Sequence, residues 1–198
     1  EINYLGHRVS GDGVGMIPEY VERVLDWPTP TSVKELNTFL GFSGYYRSYI
    51  PEYAKLTVRL NALKKQTKLE WNHTLETDFQ ELKSAFRAGR LQGFPRFDSD
   101  KPFTLTTDFS ATAISGVLSQ NQDGEEKFLG AWGRKCNGAE VNYPSHKGEL
   151  LAAIKAMEFY GHILRGKPFI LVTDASALKQ LESWKSTAPI FMRWYESL

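Results

Sequence analysis

The chain has 198 residues, 41% of them hydrophobic and 13% aromatic, which is enough to bury a core as one domain or two small ones and excludes a disordered tail. A formal net charge of +1 neither requires nor excludes a polyanionic partner, because nucleic-acid affinity depends on where lysines and arginines cluster. The single cysteine, Cys136, excludes an internal disulfide, and the sequence has no membrane-spanning apolar run and no signal-peptide pattern, so a secreted protein is not expected.

The first part of the chain is predicted to form a hairpin followed by helices. Apolar residues flank a Gly-Asp-Gly turn within residues 2–16, which predicts a β-hairpin. From Pro18 the apolar residues recur at helical spacing until Pro28 stops the helix. Ser32 and Glu35 have the spacing of a capping box, which predicts that a helix begins there. The further predicted helices are 32–43, one that opens at Pro51, and 75–86.

Beyond a linker at Gly93-Phe94-Pro95 the pattern changes from helices to strands. Three strands are predicted at 103–109, 113–120 and 127–133. A helix in SHKGELLAAIKAMEFYGHIL, which is predicted to end near Gly166, and a buried strand in PFILVTD follow. Two helical stretches, ASALKQLESW and PIFMRWYESL, close the chain. The fold class is therefore α/β, or α+β overall, with an antiparallel meander before a crossover strand.

Two strands are predicted to end in the same way, with Thr-Asp-X-Ser. Asp108 lies in TLTTDFSA and Asp174 in LVTDASA, so both carboxylates project at the rim of the sheet if their strands are neighbours. Glu149, in the predicted first turn of the intervening helix, can face the same rim. Three carboxylates without a His/Cys cluster favour a hard ion such as Mg²⁺ or Mn²⁺ over zinc.

Each acid also has a structural explanation. Asp108 and Asp174 are residues of the kind that cap a turn or a helix, and the positive end of its helix favours a residue such as Glu149. For any one of these acids considered alone, the structural explanation is stronger than a metal-binding role. Two such strand ends on either side of a helix with an N-terminal Glu form an arrangement that capping alone does not predict.

These motifs resemble the ribonuclease H domain of long-terminal-repeat retroelement reverse transcriptases, especially the Ty3/gypsy type. The family pattern is a strand ending in T-D-A-S, a helix opening with x-x-x-E-L-L-A and a strand ending in T-D, and this chain has TTDFS, SHKGELLA and VTDASAL. Upstream, YLGHRVS resembles the primer-grip hairpin, WPTPTSVKELNTFLGFSGYYRSYIPEYAKL resembles the thumb, and LEWNHTLETDFQELKSAF resembles the thumb-to-ribonuclease H link.

The resemblance implies a thumb plus ribonuclease H portion of a Pol polyprotein. Its implied parts are a primer-grip-like hairpin at the end of the palm (1–17), a helical thumb and linker (18–94), and a ribonuclease H-like mixed-sheet domain truncated at its C-terminus (95–198). The implied activity is two-metal hydrolysis of the RNA strand of an RNA–DNA hybrid, with two Mg²⁺ or Mn²⁺ ions. By this resemblance Asp108 bridges both ions, and Glu149 and Asp174 each help to hold one.

The resemblance also implies nucleic-acid contacts and partners. The implied contact residues are Ser145 and His146 at the minor groove of the hybrid, Gly41, Gly44, Tyr45 and Arg47 in the thumb, and Leu5, Gly6 and His7 in the hairpin. His146 is equally well explained as an exposed residue at a helix start. The implied partners are the RNA–DNA hybrid, the template-primer duplex, the upstream fingers and palm, and a second subunit in a homo- or heterodimer. The implied location is a cytoplasmic virus-like particle or the nucleus.

Two departures from the family pattern bear on activity. The family's fourth carboxylate is expected beyond these segments. Glu196, the only acid in PIFMRWYESL, does not match its place, so this chain is expected to be slow or inactive. Phe109 replaces the Ala of T-D-A-S and is expected to narrow the approach of substrate. The alternative functions are an inactive connection-type binding module and a host-domesticated element used for protein contacts. Retention of Asp108, Glu149 and Asp174 argues against the binding module.

Overall fold

The computed structural model describes residues 1–174 and begins with a small antiparallel sheet. Strands β1 (Ile2–Tyr4), β2 (His7–Ser10) and β3 (Gly13–Met16) pair in that order. The predicted hairpin is therefore present as β2 and β3, and β1 is an additional strand. The turn between β1 and β2 has positive φ at both Leu5 (46°) and Gly6 (78°), as a type I′ hairpin turn requires.

A helical unit follows the small sheet. The α-helices of this unit are α1 (Pro18–Leu25), α2 (Val33–Tyr45), α3 (Tyr53–Leu56), α4 (Val58–Ala62) and α5 (His73–Arg87). The predicted cap of α2 is confirmed, since the Ser32 hydroxyl accepts from the Glu35 backbone N–H at 3.2 Å. The helix predicted to open at Pro51 instead begins at Tyr53, after Glu52 in a left-handed conformation (φ 58°), and the segment divides at Thr57 into α3 and α4.

The core of the helical unit is aromatic. Phe39 on α2 packs against Phe79 on α5, with ring centroids 4.7 Å apart, and both side chains are fully buried. Arg59 on α4 forms a two-pronged ion pair with the buried carboxylate of Asp78 on α5. Apolar burial and this pair together fix α2, α4 and α5 as one unit.

The second sheet has four strands in the order β6-β5-β4-β7. Its elements are β4 (Phe103–Phe109), β5 (Ala113–Gln122), β6 (Glu125–Lys135), α6 (Ser145–Phe159), α7 (Gly161–Leu164) and β7 (Phe169–Val172). Strands β4, β5 and β6 form the predicted antiparallel meander, and β7 returns parallel to β4. The predicted mixed α/β fold class is thus confirmed. The predicted helix that should reach Gly166 instead ends at Phe159 and continues as the short α7.

Helices cover both faces of this sheet. Helix α6 packs on one face so closely that a Cβ atom at Gly116 of β5 would lie 2.7 Å from Cβ of Ala156. On the other face, Ala54 of α3 lies against Gly133 of β6. The linker is hydrogen-bonded on both sides, since Gln92 pairs with Val14 and the Gly93 N–H donates to the Phe128 carbonyl at 2.7 Å. The two predicted closing helices, including Ser176 and Glu196, lie outside the described residues.

Within residues 1–174, no helix has both the length and the apolar character that a membrane crossing requires.

Candidate active site

Three acidic residues are placed near one end of the second sheet by the elements that carry them. Asp108 is the penultimate residue of β4. The parallel register pairs Thr106 with Val172, and continuing it by two residues puts Asp174 beside Asp108. Glu149 lies on α6, the helix that packs on one face of the sheet. It is one residue beyond the first turn of this helix, not within that turn as predicted. The sequence-predicted acids therefore come from two adjacent strand ends and the helix packed on them.

The environment of Glu149 disfavours its charge. The side chain is only 6% exposed, and Oε2 is buried without a hydrogen-bond partner among the described residues. Burial, and then the negative charges of Asp108 and Asp174, raise the pKa of Glu149 from 4.5 to about 7, whereas interaction with the Phe109 backbone amide lowers it. The carboxyl group of Glu149 is thus close enough to those of Asp108 and Asp174 to be influenced by their charge.

The capping explanation for Asp108 is not supported by the contacts, and the one for Asp174 concerns a helix that lies outside the described residues. Ser110, not Asp108, caps the turn after β4, because its hydroxyl accepts from the Ala113 N–H at 3.0 Å and its own N–H donates to the Ala113 carbonyl. Within residues 1–174 neither Asp108 nor Asp174 makes a side-chain hydrogen bond or an ion pair. For Glu149, burial and the neighbouring acids outweigh any favourable effect of the helix terminus, because the pKa is raised.

The donor set fits a hard divalent cation, although the side chains do not form a closed ligand group. Carboxylate oxygens are the donors that Mg²⁺ and Mn²⁺ prefer, and the unpartnered Oε2 of Glu149 is an oxygen that such an ion could use. Among the residues that the structure describes, no three His, Cys, Asp or Glu side chains lie close enough together to hold a metal ion. Alternation along β4 accounts for this spacing, since Asp108 projects on the face opposite to buried Thr107, and Glu149 comes from the helix side.

Phe109 does not extend over the acids as expected from its size. Its ring lies directly on Gly148 of α6, and it packs with the buried cluster that contains Ile114, Leu151 and Ala152. Ser145 and His146, one turn before Glu149, are exposed at the start of the same helix. The structure therefore places the two predicted minor-groove residues on the same end of α6 as the acid.

The predicted hairpin and thumb residues meet in a second cluster. His7 lies between two tyrosines, with Nε2 3.0 Å from Tyr45 Oη and Nδ1 2.8 Å from Tyr49 Oη. Tyr45 donates to the Leu5 carbonyl at 2.5 Å, so the His7 Nε2–H donates to Tyr45 and Nδ1 accepts from Tyr49. Burial lowers the pKa of His7, in agreement with a neutral ring. The turn of the first hairpin is thereby fixed to the end of α2.

A cleft of about 650 Å³ lies between the end of α2 and strand β6. Predicted residues Gly44, Tyr45 and Arg47 line one wall, and the stacked rings of Trp132 and Phe159, with centroids 5.5 Å apart, lie in the other. Gly41 is not part of the cleft; it lies on the exposed side of α2, and a Cβ there would meet nothing within 4 Å. Arginine and exposed aromatic rings are the groups that bind single nucleic-acid strands.

Sequence reasoning missed three features of these sites. Each of them joins residues that are distant in the sequence or on different elements. They are the contact of Phe109 with Gly148, the stack of Trp132 on Phe159, and the ion pair of Arg134 with Glu140 at 2.7 Å. Only the first of them had a signal in the sequence, which is Gly148 within a helical pattern. Glycine is unfavourable inside a helix, so its presence there indicates that a neighbouring group leaves no room for a side chain.

Comparisons with known proteins identify the family of the chain. The model of the RNase H-like domain found in reverse transcriptase matches residues 98–198. The Retrovirus-related Pol polyprotein from transposon 297 of Drosophila melanogaster is 36% identical over 196 residues, which are 98% of this chain and 18% of that protein. The Transposon Tf2-3 polyprotein of Schizosaccharomyces pombe is 32% identical over 178 residues, or 88% of this chain and 13% of that protein. The chain thus spans less than a fifth of these relatives.

Solved structures show the same fold. The foamy viral protease-reverse transcriptase in complex with dsDNA superimposes with a TM-score of 0.78 at 16% identity, covering 100% of this chain and 42% of that chain. The same kind of protein in complex with RNA/DNA hybrid gives a TM-score of 0.73 at 17% identity, covering 98% of this chain and 27% of that chain. The chain therefore belongs to the family of RNase H-like domains found in reverse transcriptases, and its relatives are Pol polyproteins of Ty3/gypsy-like transposons.

Proposed function

We propose that this chain hydrolyses the RNA strand of RNA–DNA hybrids at the site formed by Asp108, Glu149 and Asp174. The observation that carries the proposal is the buried Glu149 carboxyl, with an unpartnered oxygen, placed where Asp108 and Asp174 raise its pKa. Such an arrangement destabilises the fold and is explained when a cation neutralises the acids. Membership in the family of RNase H-like domains also supports this assignment, because the family match rests on the sequence and not on the pKa of Glu149.

The proposed roles are those that the resemblance to the ribonuclease H family implies for these residues. Two bound Mg²⁺ or Mn²⁺ ions would supply an activated water and would neutralise charge on the scissile phosphate. Asp108 would hold both ions, while Glu149 and Asp174 would each hold one. Exposed Ser145 and His146, on the turn of α6 before Glu149, would contact the minor groove of the hybrid, where 2′-hydroxyl groups distinguish RNA from DNA.

We further propose that residues 1–17 and 18–94 act as the primer-grip-like and thumb parts of a longer polymerase. Leu5 supports this role, because it is 72% exposed at the tip of the turn and has the positive φ that non-glycine residues avoid. The cleft between α2 and β6 would take one nucleic-acid strand, with phosphates at Arg47 and bases against Phe159. The upstream fingers and palm would bind on the side of β1.

Cleavage of a labelled hybrid tests the proposed function. The 198-residue chain is incubated with an RNA–DNA hybrid, a DNA duplex of the same sequence, and Mg²⁺, Mn²⁺ or EDTA. We expect slow, metal-dependent cleavage of the RNA strand alone, abolished by EDTA, because the family's fourth carboxylate is not matched in this chain. Hybrid binding without cleavage under either metal would instead establish the connection-type binding module, and absence of both binding and cleavage would favour the domesticated element.

Replacing Gly41 by Ala is expected to separate stability from binding. The position is open and lies within α2, so alanine should stabilise the fold by about 0.5–1 kcal/mol through helix propensity. If a nucleic-acid backbone approaches this glycine, the added methyl group should weaken hybrid affinity by roughly threefold or more. Thermal unfolding and fluorescence anisotropy measure the two effects.

Gly161→Ala is the matched control for Gly41. This glycine, the first residue of α7, is also open, since a Cβ atom there would have nothing within 4 Å, and no nucleic-acid contact is proposed at this position. Its substitution should leave hybrid affinity unchanged. Equal affinity of Gly41→Ala and the unaltered chain would remove Gly41 from the proposed interface.

A further inference from the structure

Two residues beside the acids are packed together so tightly that one of them must be glycine. Phe109 follows Asp108 on β4, and Gly148 precedes Glu149 on α6. A Cβ atom at position 148 would lie 2.2, 2.3 and 2.4 Å from Cε1, Cδ1 and Cζ of the Phe109 ring. Non-bonded carbon atoms are separated by about 3.5–4.0 Å, so the ring occupies the space of any side chain at position 148.

The ring is held in this place by its other contacts. Phe109 packs against the buried cluster of Ile114, Cys136, Leu151 and Ala152, so a side chain at position 148 would drive it out of apolar surroundings. Gly148 is buried within a 15-residue helix, where glycine is less favourable than alanine by about 0.5–1 kcal/mol. The close ring contact is a physical reason for a glycine at such a position.

We propose that Phe109 and Gly148 form a matched pair of positioning residues that sets the separation between Asp108 and Glu149. Each member of the pair is bonded in sequence to one of the two acids, so their contact joins the two backbones directly at the candidate site. The Phe109 amide also interacts with the Glu149 carboxylate, which adds a polar contact to the apolar one. This inference rests on the proposed function, because it assigns the pair to the nuclease site.

The pair is a feature of this chain rather than of the T-D-A-S pattern. An alanine at position 109 has no ring to lie on the helix, so it places no such limit on residue 148. With phenylalanine at position 109, the ring lies between the end of β4 and helix α6 and sets the distance between them. The effect of a substitution at position 148 on the separation between Asp108 and Glu149 is therefore expected to depend on the residue at position 109.

A double-mutant cycle tests this coupling without relying on cleavage. Gly148→Ala, Phe109→Ala and the double variant are compared with the unaltered chain by thermal unfolding across a Mg²⁺ titration. We expect Gly148→Ala to lower the unfolding temperature by about 4 °C or more, and to raise the Mg²⁺ concentration for half-maximal stabilisation by about tenfold. In the Phe109→Ala background, Gly148→Ala should cause little further loss of either quantity, because the ring that collides with the methyl group is absent.

The outcomes are distinguishable from one another. Gly161→Ala, at an open glycine, is the control; it should not lower the unfolding temperature and should leave the Mg²⁺ midpoint unchanged. The pair is refuted if Gly148→Ala lowers the unfolding temperature as much in the Phe109→Ala background as in the unaltered chain. The positioning role is refuted if the unfolding temperature falls while the Mg²⁺ midpoint stays constant. If Gly148→Ala does not fold, Phe109→Ala alone decides, since it should raise the Mg²⁺ midpoint severalfold. An unaltered chain that neither responds to Mg²⁺ nor cleaves hybrid refutes the proposed function itself.

Discussion

Asp108→Asn is expected to reduce metal-dependent cleavage of the RNA strand by about 10²–10³-fold or more, because asparagine keeps the shape of the side chain but lacks the negative charge that would hold the ions. Asp108 makes no side-chain hydrogen bond or ion pair within residues 1–174, so the substitution should leave the fold intact. Hybrid affinity should be equal or higher, since one negative charge near the phosphates is removed. Initial cleavage rates and fluorescence anisotropy on the same preparation measure both effects.

Asp100→Asn is the matched control for Asp108→Asn. Asp100 lies shortly before β4, its side chain is 84% exposed, and its contact is a surface ion pair with Lys101. Its substitution should leave cleavage within about twofold, because exposed pairs of this kind contribute little. Cleavage by Asp108→Asn at a rate comparable to this control would contradict the assignment of Asp108. Loss of cleavage in both variants would point to a general loss of charge balance.

Local sequence patterns were sufficient to predict the elements that carry the acids. The bounds of β4 agree with the predicted 103–109, because alternating burial and the following turn define both ends of that strand. The Ser32 cap was equally predictable from its spacing to Glu35. The start of α3 at Tyr53 and the division from α4 at Thr57 were not predictable, because they depend on the backbone conformations of Glu52 and Thr57, which the apolar pattern does not indicate.

The geometry within the candidate site depended on tertiary contacts and could be predicted only in part. The strand register and the helix packing that bring Glu149 under the influence of Asp108 and Asp174 follow from the crossover topology. The ring of Phe109 on Gly148 does not, because its direction is set by the buried cluster around Ile114 and Leu151. The size of Phe109 suggested that its ring would obstruct the approach of substrate, whereas the ring lies against Gly148 of α6.

Glu149→Gln is expected to stabilise the metal-free chain at pH 8. The pKa of the folded-state carboxyl, about 7, lies above the ordinary value of 4.5, so the folded state binds the proton more tightly than the unfolded state does. Stability therefore declines as pH rises from about 4.5 to about 7 and is level above that range. By 1.36 kcal/mol per pKa unit, the full penalty is on the order of 3 kcal/mol, or roughly 6–10 °C in unfolding temperature for a chain of this size.

The pH dependence separates this charge effect from a general improvement in packing. Glutamine cannot ionise, so the difference between variant and unaltered chain should be large at pH 8 and should nearly vanish at pH 4 when both are measured in EDTA. Glu158→Gln, on the same helix but exposed and paired with Lys155, should show no such gain. Saturating Mg²⁺ should reverse the order at pH 8, because an ion held by the acids stabilises the charged form of Glu149 and not its amide. An equal gain at both pH values would show that Glu149 is not strained by the charges of Asp108 and Asp174, and the electrostatic basis of the proposed nuclease site would be lost.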